Sequence, residues 1–157
     1  METDYKMMAA EVVSLSEADK GWLPIMANVS AMIFEEMEGI NWAGFYVMDK
    51  GSLLLGPFAG KVACIRIKVG KGVCGTAVER DETLVVPDVH AFAGHIACDS
   101  ASRSEIVIPI HAGGRVVGVL DIDSPREGRF SEEDRRGLEG IVRAIEENIE
   151  WRSPDFA

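Results

Sequence analysis

Cys98 stands seven residues before Glu105, inside the stretch His95-Ile96-Ala97-Cys98-Asp99-Ser100-Ala101-Ser102. A thiol among small polar residues is open to reaction, and a nearby carboxylate supplies a group that can move a proton. That pairing suits thiol redox chemistry, in which the thiolate is the species that attacks and is oxidised. The competing reading of Cys98 is an inert buried cysteine, the common fate of a free thiol. Cys74, within Gly72-Val73-Cys74-Gly75-Thr76-Ala77-Val78, suits that description better.

Two further carboxylates end the apolar run Val116-Val117-Gly118-Val119-Leu120-Asp121-Ile122-Asp123. In a strand, Val117, Val119, Asp121 and Asp123 share one face, with the two aspartates about 6.6 Å apart. A hairpin through Ala112-Gly113-Gly114 returns this strand beside Ile106 to His111, which carries Glu105 towards both aspartates. Crowded carboxylates raise one another's pKa, so such a group can keep one acid protonated while an ionised partner receives an ammonium ion. Solvated loop aspartates past the strand end, on a merely acidic surface, remain the alternative.

Other chemistries find little support. No C-x-x-C spacing occurs, and His95-x-x-Cys98 is only half of a metal site, so no metal is expected. Val69-Gly70-Lys71-Gly72-Val73-Cys74-Gly75 lacks the full phosphate-loop pattern, no G-x-S-x-G elbow is present, and neither His90 nor His95 has a signature tying it to a nucleophilic serine. With 26 acidic residues against 16 basic ones the 157-residue chain has a formal charge of -10, which repels nucleic acid and anionic lipid. No apolar run approaches the roughly 20 residues of a membrane helix, and the start METDYKMMAAEVV lacks a signal-peptide pattern. These features predict a cytoplasmic protein with no membrane partner. There, three cysteines stay reduced, and an odd number cannot all pair within the chain.

The positioning elements follow from periodicity. Residues 1–38 read as helices, with Ile25, Val29, Met32 and Ile33 on one face and Pro24 near a helix start or kink. Trp42 to Met48 and Leu53 to Leu55 read as a strand pair about the turn Asp49-Lys50-Gly51-Ser52. Gly56 to Ser104 reads as loops with a short helix near Gly75 to Arg80. Ile106 to His111 and Arg115 to Asp123 form the second strand pair. A closing helix over 130–151 is capped by Ser131, with Leu138, Ile141, Val142, Ile145 and Ile149 as its buried stripe. Together these predict one α+β domain over 1–157: an antiparallel sheet with its loops over 41–123, flanked by N- and C-terminal helices packed on one side.

The stretches Asn41-Trp42-Ala43-Gly44-Phe45-Tyr46, Leu55-Gly56-Pro57-Phe58, Gly72-Val73-Cys74-Gly75-Thr76-Ala77, Gly94-His95-Ile96-Ala97-Cys98-Asp99, Ser104-Glu105-Ile106-Val107 and Gly118-Val119-Leu120-Asp121-Ile122-Asp123 closely resemble the free methionine-(R)-sulfoxide reductases, which are built on a GAF domain. The resemblance covers roughly residues 41–130 and keeps the cysteine intervals of ten and 24 residues. It implies a GAF-like fold and a thiol-dependent reductase of free L-methionine-(R)-sulfoxide that is a homodimer without bound cofactor. By it, Cys98 is the catalytic thiol, Cys64 the resolving thiol that closes a Cys64–Cys98 disulfide, and Cys74 an auxiliary thiol. Glu105 is the expected acid, assisted by Asp123. Trp42, Tyr46, Glu105, Asp121 and Asp123 form the substrate pocket, and reducing equivalents come from thioredoxin, and so from NADPH through thioredoxin reductase. Trp42 as plain core packing, and the whole chain as a small-molecule-sensing module without catalysis, are the competing readings.

Overall fold

Two hairpins with glycine-bearing turns build the centre of the sheet. At Lys50-Gly51 and at Gly113-Gly114 both central residues have positive φ, from 53° to 82°, the geometry that lets a two-residue turn match the twist of its strands. In the computed structural model, which describes residues 2–94 and 101–152, the order is α1 (Tyr5–Ala18), α2 (Trp22–Glu36), β1 (Trp42–Asp49), β2 (Ser52–Gly60), β3 (Arg66–Lys68), α3 (Gly72–Arg80), β4 (Leu84–Val86), β5 (Ser104–Ala112), β6 (Arg115–Ser124) and α4 (Glu132–Asn148). All strands join one sheet in the order β3-β2-β1-β6-β5-β4, and every neighbouring pair is antiparallel. The fold is α+β.

Strand parity divides the interior in two. Ala43, Phe45 and Val47 of β1, Ile106, Ile108 and Ile110 of β5, and Leu120 and Ile122 of β6 face α1, α2 and α4. Trp42, Tyr46, Val107 and Val119 face the opposite side, where they pack with Cys74 and Ala77 of α3. The expected packing of helices on one side therefore holds for the terminal helices only. Helix α3 covers the other face because Val73, Cys74 and Ala77 give it a buried apolar side of its own.

Two further differences from the expected elements have local causes. β2 runs on to Gly60, since a bulge puts two of its residues, Gly56 and Pro57, opposite Phe45 of β1, where the missing N–H of Pro57 costs no ladder bond. The stretch expected to be loops also holds β3 and β4, the two edge strands. A second bulge lies where Ile110 pairs with Gly118 but His111 with Val116. It leaves Val117 unpaired and turns its side chain to the terminal-helix core, so Val117 does not share a face with Asp121.

The terminal helices are fixed by caps as well as by their stripes. Ser131 Oγ accepts from Asp134 N at 3.1 Å and Asp134 Oδ2 accepts from Ser131 N at 2.9 Å, a reciprocal capping box. The same carboxylate accepts from Tyr5 Oη at 2.6 Å and pairs with Arg129 at 2.9 Å, tying α1 to α4. Leu138, Ile141 and Ile145 are fully buried beneath, each contributing about 1.5–3 kcal/mol of transfer free energy.

α3 is anchored at its C-terminal end by a histidine clamp. His111 on β5 places Nε2 2.5 Å from Asp81 Oδ1, beyond the end of α3, and Nδ1 2.9 Å from Glu146 Oε2 on α4. Partial burial works against the imidazolium, but the two carboxylates outweigh it and the pKa is raised. A raised folded pKa stabilises the protein below the unfolded value of about 6.5, and that stability is lost as pH rises through the folded pKa. His111→Gln is thus expected to melt at a lower temperature than wild type at pH 5.5. The two melting curves should converge above the folded pKa, and a pH-independent difference would remove the clamp from the account.

Candidate functional site

The candidate site lies where β1, β5 and β6 meet under α3. Antiparallel pairing sets Trp42 opposite Asp123 and Gly44 opposite Asp121, while on the other side of β6 Glu105 lies opposite Asp123 and Val107 opposite Asp121. Glu105 and Asp121 are therefore diagonal neighbours on one face, within side-chain reach. They are 8% and 5% exposed, and Asp123 is half-buried beside them. One turn into α3, Cys74 points down onto the same carboxylates, with Sγ 3.9 Å from Glu105 Oε2. Its sulfur and one oxygen from each of Glu105 and Asp121 lie within 4.8 Å of one another, the one such set of potential cation ligands among the described residues.

Burial and mutual repulsion decide the protonation of this group. Burial, then the charges of Asp121 and Asp123, push the Glu105 carboxyl well above its usual range. Burial raises Asp121 too, but hydrogen bonds from Glu105 and Cys74 oppose that rise. The geometry thus favours a protonated Glu105 donating to an ionised Asp121. Burial, then Asp121, Glu105 and Asp123, drive the Cys74 thiol far up, so Cys74 is a neutral donor and a poor nucleophile. Asp121 Oδ1 is buried without a hydrogen-bond partner among the described residues. An unpaired acceptor in an anionic, water-poor pocket is complementary to a cationic donor.

An aromatic wall closes one side. The Trp42 ring lies between Phe58, at 5.1 Å and 14°, and Tyr46, at 6.1 Å and 24°. Its indole N–H donates to Lys61 O at 3.0 Å, and Tyr46 Oη donates to Cys64 O at 2.8 Å, so both polar edges are satisfied. Gly60, with φ of +137°, lies so close to Trp42 that a Cβ there would sit 2.6 Å from the indole Cδ1. Burial raises the Tyr46 phenol, with Asp121 the next cause, so it stays neutral.

The cysteines stand in different states. Cys74 is free and buried; Cys64, half-buried after β2, is disulfide-bonded. Cys98 and His95 lie outside the described residues, but the chain on either side of them is fixed at the pocket. Gly94 O accepts from Gly72 N, the first residue of α3, at 3.2 Å, and Ser102 Oγ accepts from Asn41 Nδ2, beside Trp42, at 3.3 Å.

The structure therefore brings together Trp42, Tyr46, Glu105, Asp121 and Asp123, adds Cys74 to their centre, and sets Cys64 at the rim. Phe58 is a pocket residue that spacing alone does not reveal. It belongs to the matching stretch Leu55 to Phe58, but only its partnership with Gly44 across β1 and β2 produces the ring stack on Trp42.

A six-stranded antiparallel sheet with a pocket under a crossing helix defines a GAF domain, and the profile of that family, GAF domain, matches residues 2–149. Within it, the chain belongs to the free methionine-R-sulfoxide reductase family. It is 51% identical over 133 residues to the free methionine-R-sulfoxide reductase of Escherichia coli (strain K12), covering 85% of this chain and 81% of that one. The enzyme of that name from Saccharomyces cerevisiae (strain ATCC 204508 / S288c) is 44% identical over 146 residues, 88% of this chain and 81% of its own. The fRMsr of Staphylococcus aureus, solved in complex with substrate, superposes with a TM-score of 0.90 at 45% identity, covering 96% of this chain and 98% of that one. Among the described residues no helix is long and apolar enough to cross a membrane.

Proposed function

We propose that the chain reduces free L-methionine-(R)-sulfoxide to L-methionine. The observation that carries this reading is the buried Glu105–Asp121 pair, one acid held protonated beside an unpartnered carboxylate oxygen, in a family whose relatives bear that activity in their names. Asp121 Oδ1 accepts from the substrate ammonium, a group that a methionine sulfoxide inside a polypeptide lacks. Trp42, held by Phe58 and Tyr46, belongs to the aromatic wall against which the sulfur-bound methyl packs.

The reaction balances with groups of this chain. The Cys98 thiolate attacks the sulfoxide sulfur while Glu105, assisted by Asp123, protonates the oxygen. In the resulting adduct the protonated oxygen passes from the substrate sulfur to Cys98 Sγ as the S–O bond and the transient Sγ–S bond break, so methionine leaves with the electron pair and Cys98 is left as a sulfenic acid. Cys64 then attacks that sulfur, releasing water and closing a disulfide, which a dithiol reopens by exchange. The disulfide-bonded state of Cys64 beside a free Cys74 supports this division of roles. Thioredoxin, recharged by NADPH through thioredoxin reductase, is the donor; no bound cofactor takes part, and the enzyme works in the cytoplasm as a homodimer.

Methionine release from the separate R and S diastereomers of free methionine sulfoxide, and from a sulfoxide-containing peptide, tests the reading. Turnover confined to the free R form is expected. Equal use of all three substrates would overturn it, and binding without turnover would favour a sensing module.

A further inference from the structure

The segment that carries Cys64 differs in character from the rest of the molecule. Lys61, Arg66, Lys68 and Lys71 fall within eleven residues that contain no Asp or Glu, in a chain whose total charge is -10. Without those four cations the remainder carries -14, that is, -10 minus 4. Within the same segment Val62 is 88% exposed, Ile65 71% and Val69 38%, three of the seven exposed large apolar residues among those described. Arg66 is drawn aside by Asp49 at 2.9 Å, whereas Lys61, Lys68 and Lys71 form no ion pair among the described residues. Within this segment Cys64 is half-buried and disulfide-bonded, the state a reductant must recognise.

We propose that the basic, apolar surface around Cys64, made by Val62, Ile65, Lys68 and Lys71, is where the protein dithiol that reduces this chain docks, and that its partner face is apolar with carboxylates around it. The proposal rests on the disulfide-cycling reading above and adds the place and chemistry of recognition. An acidic partner is repelled by the net charge of the chain and attracted to this acid-free basic segment, so the field orients the encounter before contact. From Val62 to Lys68 the chain spans at most about 20 Å, which fits the small interfaces, under about 1,200 Å² in total, of redox encounters. β3 lies at the sheet edge with Arg66 and Lys68 outward and Ile67 buried, so the surface is backed by a fixed strand. In the docked complex a donor thiolate bonds to Cys64 Sγ as the existing S–S bond breaks and its other sulfur leaves as a thiolate. The donor's second thiol then displaces Cys64, so two electrons pass and the donor leaves as a disulfide.

The test compares two donors on the full chain: thioredoxin with thioredoxin reductase and NADPH, and dithiothreitol, a small neutral dithiol. K68E/K71E is expected to raise the KM for thioredoxin about tenfold at low salt, and V62S/I65S several-fold. Both should leave dithiothreitol-driven turnover and the sulfoxide KM within about twofold of wild type. For wild type, added KCl should raise the thioredoxin KM but not that for dithiothreitol, as surface charges are screened over about 10 Å at 0.1 M. An unchanged thioredoxin KM in K68E/K71E, equal losses with both donors, or wild type served by dithiothreitol but not by thioredoxin would each overturn the proposal. Absence of methionine with either donor would instead sink the reductase reading, and the docking surface with it.

Discussion

Cys98→Ser is expected to abolish methionine formation from free methionine-(R)-sulfoxide, by at least about a thousandfold, while ligand affinity stays within about twofold. A serine hydroxyl at that position has neither the nucleophilicity nor the redox chemistry to take up the sulfoxide oxygen, whereas the ammonium, the methyl and the sulfoxide oxygen keep their partners. The hydrogen bonds that hold Gly94 to Gly72 and Ser102 to Asn41 do not involve the substituted side chain, and the substitution alters neither. NADPH consumption coupled through thioredoxin reads turnover, and calorimetric titration with the sulfoxide reads affinity. Substantial turnover by Cys98→Ser would move the oxygen acceptor to another residue. Loss of affinity together with turnover would mean that the thiol helps hold the ligand.

Glu105→Gln and Asp121→Asn are expected to fail in different parameters. Loss of the general acid at Glu105 should lower kcat by about 10²- to 10⁴-fold. Wild-type kcat should fall as pH rises through the raised pKa of Glu105, because the protonated carboxyl is the active form there, and Glu105→Gln should lose that limb. Asp121→Asn removes a charge-assisted acceptor worth about 1.5–3 kcal/mol, equivalent to about a ten- to hundredfold rise in the sulfoxide KM with a smaller change in kcat. Steady-state kinetics across pH 5.5 to 9 separates the two. A kcat defect in Asp121→Asn as large as that in Glu105→Gln, with no rise in KM, would reverse the assigned roles.

Several parts of this arrangement are legible in the amino-acid sequence. Ser131 with three acids behind it marks the start of the last helix, because capping and dipole effects act within one turn. Asp121 and Asp123 fall on one face, with Glu105 brought towards them, because strand alternation and a short hairpin are local rules. The same rules misplace Val117, since a one-residue bulge shifts parity without leaving a mark in apolar sequence.

Local patterning thus accounts for the stripe of α4, the two hairpins, the acids at their ends and three cysteines in an unequal setting. The pairing of β1 with β6, across some eighty residues, so that Trp42 meets Asp123 and Gly44 meets Asp121, emerges from long-range packing alone. So do the crossing of α3 over the other face, which lowers Cys74 onto Glu105, and the stacking of Phe58 on Trp42. The reason is physical. Apolar strands of similar length are nearly interchangeable partners, so their order is chosen by how the whole core closes, and no local spacing records it.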